Sequence, residues 1–235
     1  MFIRYRTITT AAIIFFTLCI LPLSQLLHAQ HVSAWLQPLA GKVIVIDPGH
    51  GGIDGGCSRG SVLEKNINLS VALILRDKLK KEGAQVYMTR DNDTALDHLN
   101  NKSPYRHKRD LIARTDIINQ RKPDIFLSLH VNSGSASSRG AIVFYSSKNP
   151  DSANLAKSIQ NYLNELTGYI HTPQEGDFFL LRNAEVPGVL IEMGFISNPQ
   201  EVTMLQDKTY QSKLAESIDS GVVYYFLRLI TFYTF

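Results

Sequence analysis

The chain has 235 residues, 44% of them hydrophobic and 19% charged, with 24 basic against 21 acidic side chains and a formal net charge of +3. That size fits one domain or one plus a short appendage, and the composition excludes both a wholly disordered chain and a polytopic membrane protein. Basic residues are scattered rather than gathered in a stripe, so nucleic acid is excluded as a partner, and two cysteines, Cys19 and Cys57, exclude a disulfide framework and a Cys-based zinc cluster.

Arg4 and Arg6 precede residues 11–23, which are apolar but for Thr17. A run of this length suits the apolar region of a signal peptide (~7–15 residues) and falls short of the ~20 that span a bilayer. Residues 1–29 are therefore expected to be a signal peptide or an N-terminal membrane anchor, and the poor cleavage site Leu27-His28-Ala29 leaves both open. Either one exports the rest of the chain across the cytoplasmic membrane, as a secreted or membrane-anchored protein. Residues 30–40 read as a linker and residues 41–235 as a single domain, long enough for a sizeable core. Only Cys57 remains in that part, so the domain stands without an internal disulfide.

Residues 42–46 (KVIVI) form a β-branched run closed by Asp47-Pro48-Gly49, a buried strand ending in a turn. A glycine-rich loop follows. Ile67, Val71, Ile74, Leu75 and Leu79 then mark one face of a helix over 64–82, ended by Gly83. Residues 84–89 read as a strand, 91–105 as a loop, and 106–121 as a basic-surfaced helix with Leu111, Ile112, Thr115 and Ile118 inward. Strands are expected at 125–129, 141–145 and 189–191, and helices at 151–166 and 208–226. Strands alternating with helices argue an α/β fold, a mostly parallel twisted sheet with helices on both faces. Sites in such folds lie at the carboxyl ends of strands.

Four residues meet that rule. His50 follows the first strand, Glu64 opens the first helix, His130 follows IFLSL and Glu192 ends VLI. Two imidazoles and a carboxylate are a common catalytic zinc shell that leaves a position for water, and zinc lowers the pKa of water from ~15.7 to ~7. A carboxylate outside the shell can accept the water's proton and deliver it to a leaving amine. The chain offers His50, Glu64 and His130 as metal ligands for one zinc ion and Glu192 as the acid/base. Each has an ordinary structural reading when taken singly. The exception is Glu192, a carboxylate set between VLI and Met193-Gly194-Phe195, where a charge needs a partner or a purpose.

The segments IDPGHGGIDGG (46–56), LEKNINLSVALILRDKLKKEGAQVYMTRD (63–91), ARTDIINQRKPDIFLSLHVNS (113–133) and VPGVLIEMGFISNPQE (186–201) resemble the zinc-dependent N-acetylmuramoyl-L-alanine amidases of bacterial cell walls, the Amidase_3 family. The resemblance implies that the family's metal ligands fall on His50, Glu64 and His130, and its catalytic glutamate on Glu192. It implies hydrolysis of the amide between the lactyl group of N-acetylmuramic acid and L-alanine of peptidoglycan stem peptides. Residues 91–110 are similar to the spore-type, germination-specific member, which implies cortex maturation toward muramic-δ-lactam in the forespore intermembrane space. General wall turnover, another wall bond and a non-catalytic peptidoglycan-binding module are the alternatives. The partners so implied are peptidoglycan, an accessory or activator protein, and a membrane touched by the N-terminal segment.

Other residues carry weaker readings. Asn132 matches the family's H-x-N pattern. Asp47 is expected to hold the glycine loop by an Asx turn. Asp54 and Arg90 are open between support and substrate contact. His98, His107 and His171 read as solvated, with His171 the one for an auxiliary role. A Cys57–His50 nucleophile is the rival to zinc. Residues 222–235 read as a terminal helix packed on the core, with a membrane-surface or docking strip as the alternative.

Overall fold

β-Branched runs build the centre of the sheet. The computed structural model describes residues 37–232; the signal-peptide or anchor segment, residues 30–36 of the linker and residues 233–235 lie outside the described residues. The strands are β1 (Val43–Pro48), β2 (Ser58–Arg59), β3 (Val62–Leu63), β4 (Gln85–Met88), β5 (Ile125–Asn132), β6 (Ile142–Tyr145), β7 (Gln174–Glu175) and β8 (Gly188–Phe195). The helices are α1 (Glu64–Lys81), α2 (Arg106–Arg121), α3 (Pro150–Thr167), α4 (Phe179–Asn183), α5 (Pro199–Gln206) and α6 (Lys208–Phe232), with a 3₁₀ turn at Asp97–Leu99.

Six strands form one sheet in the order β4-β1-β5-β8-β6-β7. β4, β1, β5 and β8 run parallel, and β6 pairs antiparallel with β8. This is the α/β architecture that the alternation of elements predicts. Alternation within β1 shows why both faces are covered. Ile44 and Ile46 point into a large core shared with α1, α3, α5 and α6, while Val45 points into a smaller one with Ile118 of α2 and Leu180 and Leu181 of α4. α1 leads to β4 on one side of β1, and α2 leads back to β5 on the other. The strand order thus reverses between β1 and β5, whose carboxyl ends flank the crevice where ligands bind in such sheets.

Four of the expected elements depart from their reading. β5 and β8 run past their apolar runs, so His130 and Glu192 lie within strands, paired across the sheet. Backbone pairing extends a strand beyond its hydrophobic stretch, which composition does not show. The inward face of α2 carries Asp110 and Arg114, 3% and 2% exposed, instead of being purely apolar, while Leu111 is only partly buried. α6 extends to Phe232, and Val222, Tyr225 and Phe226 of the apolar tail are buried against the core, while Tyr224 is exposed.

Asp47 makes no Asx turn. Its Oδ1 accepts from Thr89 Oγ1 at 2.6 Å and Arg114 Nη1 at 2.7 Å, and its Oδ2 accepts from Ser128 Oγ at 2.7 Å. Burial by itself pushes this carboxyl up, but the Arg114 charge and the three hydrogen bonds outweigh it and hold it at about 2. A depressed pKa contributes stability above the unfolded value of 3.8, lost as pH falls through about 2. The contribution at neutral pH is about 2 kcal/mol. Acid unfolding followed by circular dichroism in chelator is expected to steepen between those values. Asp47→Asn should flatten that limb, and an unchanged limb would contradict the assignment.

Candidate active site

The turn after β1, the start of α1 and the end of β5 bring three donors together. One ligand atom each from His50, Glu64 and His130 lies within 4.8 Å of the others. Glu64 Oε1 is 3.1 Å from His50 Nε2 and 3.0 Å from His130 Nδ1. Donors that share a tetrahedral ion at about 2.0–2.2 Å lie roughly 3.4 Å apart, close to these separations. Charge points the same way. Glu64 is 2% exposed, and burial that alone would raise its pKa is overcome by the two imidazoles, which hold it well below the usual carboxylate range. Burial lowers His50, but Glu64 and Asp54 reverse this and bring it up to about 9. A buried carboxylate oxygen within 3.1 Å of two imidazole nitrogens is a donor set for a cation, and zinc fits it.

Local sequence explains the approach. Gly49 has no side chain because a Cβ there would lie 2.2 Å from His130 Cε1. His50 itself adopts φ +59°, a left-handed conformation costing about 1–2 kcal/mol for a non-glycine residue. Glu64 Oε2 accepts from the Cys57 N–H at 2.8 Å, and its Oε1 accepts from the Val131 N–H at 3.1 Å and Asn68 Nδ2 at 3.2 Å. Asp54 Oδ2 lies 3.0 Å from His50 Nδ1, on the ring nitrogen opposite Glu64. Such a carboxylate sets the tautomer and direction of an imidazole ligand. This answers the open reading of Asp54, four residues beyond His50 in the glycine loop.

A cavity of about 370 Å³ opens over these groups. Glu192 lines it, directly across the sheet from His130. Its Oε2 is shielded from solvent and accepts no hydrogen bond among the described residues. Burial pushes the Glu192 carboxyl up to about 7; Glu64 adds to this while His130 and His50 oppose it. Leu111, Phe178 and Phe179 also line the cavity and give it apolar surface. Sequence reading gave Phe178 and Phe179 no role, because they fall between the segments 113–133 and 186–201 rather than within one.

The remaining candidates separate. His107 is 62% exposed, solvated as read from the sequence, and also borders the cavity, with Nδ1 3.7 Å from Asp54 Oδ2. His171 bonds the Arg139 carbonyl at 2.8 Å and does not line the cavity. Cys57 and Asn132 both line it. Burial and Glu64 push the Cys57 thiol up, away from the thiolate a nucleophile needs. Arg90 bonds backbone carbonyls and is not among the cavity residues.

Comparison with known proteins agrees with this geometry. The Amidase_3 family model, described as N-acetylmuramoyl-L-alanine amidase, matches residues 44–224. The chain is 41% identical over 198 residues to the germination-specific N-acetylmuramoyl-L-alanine amidase of Bacillus subtilis, covering 82% of this chain and 83% of the relative. Among solved structures it is similar to the CwlD amidase from Clostridioides difficile in complex with the GerS lipoprotein, with TM-score 0.74, 35% identity and coverage of 80% and 100% of the two chains. The catalytic domain of CwlV, an N-acetylmuramoyl-L-alanine amidase from Bacillus (Paenibacillus) polymyxa, matches with TM-score 0.69 and 32% identity over 78% of this chain and 97% of that one. A family match across most of the folded part, with both relatives and solved structures above 30% identity, places this chain in the Amidase_3 family of N-acetylmuramoyl-L-alanine amidases.

Proposed function

We propose that this protein hydrolyses the amide joining the lactyl group of N-acetylmuramic acid to L-alanine, in spore-cortex peptidoglycan on the way to muramic-δ-lactam. The observation that carries the proposal is Glu192: a carboxylate whose Oε2 is shielded and accepts no hydrogen bond among the described residues, in the same cavity as three converging candidate metal donors. In this reading His50, Glu64 and His130 hold one zinc ion and Glu192 does not. Zinc bound there supplies a water of lowered pKa and an electrophile for the scissile carbonyl. Glu192 takes a proton from the attacking water as the C–O bond forms. It returns that proton to the alanine nitrogen as the C–N bond breaks, leaving a lactyl carboxylate and a free stem peptide. A carboxyl held near neutrality serves both transfers, since neither protonation state is remote at working pH. Asp54 keeps the His50 ring directed at the shared site.

The cortex assignment draws on the similarity to a germination-specific relative and to an amidase solved with a lipoprotein. By the same likeness we place the protein outside the cytoplasmic membrane, facing the wall, with an accessory lipoprotein as partner. The test is product analysis by mass spectrometry after incubating the full chain and Zn²⁺ with cortex sacculi. Expected products are peptide-free glycan and stem peptides with a free L-alanine amine. In a spore-former lacking its own enzyme, expression should restore muramic-δ-lactam. Products cut within the stem peptide, or deacetylated glycan, would refute the bond assignment.

A further inference from the structure

Two buried guanidinium groups grip the turn that ends β1, and neither touches the donor atoms of the site. Arg90, 3% exposed, donates from Nε to the Pro48 carbonyl at 2.9 Å and from Nη2 to the carbonyls of Gly49 at 2.8 Å and Lys65 at 3.1 Å. Its Nη1 reaches the Asn92 carbonyl at 3.0 Å. Arg114, 2% exposed, donates from Nη1 to Pro48 O at 2.8 Å and from Nη2 to His50 O at 2.6 Å. Three successive carbonyls, of Pro48, Gly49 and His50, are therefore all turned toward the same pair of cations.

An extended strand presents successive carbonyls in alternating directions. Turning three of them to one pair of donors goes with the left-handed backbone at His50, φ +59°. The bond from Arg90 to Lys65 also ties this turn to the first turn of α1, next to Glu64.

The two arginines differ in how their charge is met. Arg114 has Asp47 at 2.7 Å and Asp110 at 2.6 Å. Among the described residues no carboxylate forms an ion pair with Arg90, whose hydrogen bonds all go to main-chain carbonyls. Burying an always-charged group without an ionic partner is unfavourable for the fold alone. Its planar fork, however, can hold several carbonyls in one fixed geometry, which an ammonium cannot.

We infer that Arg90 and Arg114 are positioning residues for metal retention, holding the Pro48-Gly49-His50 turn in the bend that brings the His50 imidazole to Glu64 and His130. The inference rests on the reading of those three residues as ligands. Arg90→Gln is the sharper variant. Without Arg90, Pro48 O keeps its bond from Arg114 and Gly49 O keeps one from Asn68 Nδ2, so the fold and the ionic network stay while the fork is lost.

The experiment measures the Zn²⁺ dissociation constant of the full chain by competition with a chromophoric chelator, with metal-free melting temperatures alongside. The variants are Arg90→Gln, Arg114→Lys, His50→Ala and Leu79→Ala, the last a fully buried core residue of α1. Arg90→Gln and Arg114→Lys are expected to weaken zinc by about 10–100-fold, the range for groups that orient ligands from outside the shell. Leu79→Ala should lower the melting temperature without that loss. Wild-type zinc affinity in folded Arg90→Gln overturns the inference. So does an equal loss in Leu79→Ala, or an Arg90→Gln chain that does not fold, since either assigns the guanidinium to stability. Arg114→Lys that fails to fold leaves the decision to Arg90→Gln. If His50→Ala binds zinc as wild type does, the ligand reading itself has failed, whatever the arginine variants show.

Discussion

Glu192→Gln is expected to lose turnover by about 10²–10⁴-fold, the contribution of a positioned proton-transfer group, while zinc content stays at the wild-type level. The amide keeps the size of the carboxylate but cannot accept and return a proton. Because Glu192 lines the cavity without bonding the three donors, its replacement leaves their geometry in place. The fold should not suffer either. Burial raises the Glu192 carboxyl from 4.5 to about 7. A raised carboxyl pKa means that the stabilising, protonated state is fully present below the unfolded value and lost as pH rises through the folded one. The neutral amide removes that penalty. The metal-free variant is therefore expected to melt no lower than wild type at neutral pH, and higher at more alkaline pH. Steady-state kinetics on muropeptides, zinc analysis and melting curves check the three parts. A variant that turns over at the wild-type rate would remove Glu192 from the chemistry.

Glu64→Ala has the widest expected damage. It removes the oxygen onto which both imidazoles converge, so zinc stoichiometry and activity should both fall to background. It also leaves the Cys57 and Val131 N–H groups without their acceptor, while the Asn68 amide keeps only its bond to the Gly49 carbonyl. Each orphaned buried donor costs about 1–3 kcal/mol. The metal-free variant is thus expected to be clearly less stable than wild type. His130→Ala separates the two effects. It should lose zinc as fully, with less change in metal-free stability, because Glu64 keeps its backbone donors. Elemental analysis of metal per chain and thermal unfolding in chelator give both readouts. Undiminished zinc in Glu64→Ala would dismantle the proposed ligand set.

The candidate site residues were legible because the fold class and the site rule are both local in origin. KVIVI and IFLSL declare buried strands, the helical spacing from Ile67 to Leu79 declares α1, and in a parallel sheet their carboxyl ends fall on one edge. His50, Glu64 and His130 could be nominated before any contact was known, and the coordinates bring them together. Glu192 was marked by a charge in an apolar run, and its Oε2 is shielded from solvent. The reading of Asp47 as an Asx turn failed, and the inward turn of Arg114 on α2, a helix whose bounds are as expected, escaped sequence reading, for a common reason. A turn-forming Asp and a basic helix face are local expectations, but Asp47 meets Arg114 across 67 residues, and that partner turns both inward.

The amino-acid sequence alone determined the alternation of strands and helices, and it marked the imidazoles and carboxylates that are candidates for binding metal and moving a proton. These follow from side-chain chemistry and from periodicities of two and 3.6 residues, which need no knowledge of distant partners. Tertiary structure decided which charges could be buried, how far β5 and β8 extend, and how the His50 turn is bent. Those outcomes depend on neighbours brought close by folding: a guanidinium that offsets a carboxylate, a strand that supplies pairing beyond the apolar run, and an imidazole that leaves no room for a Cβ at Gly49.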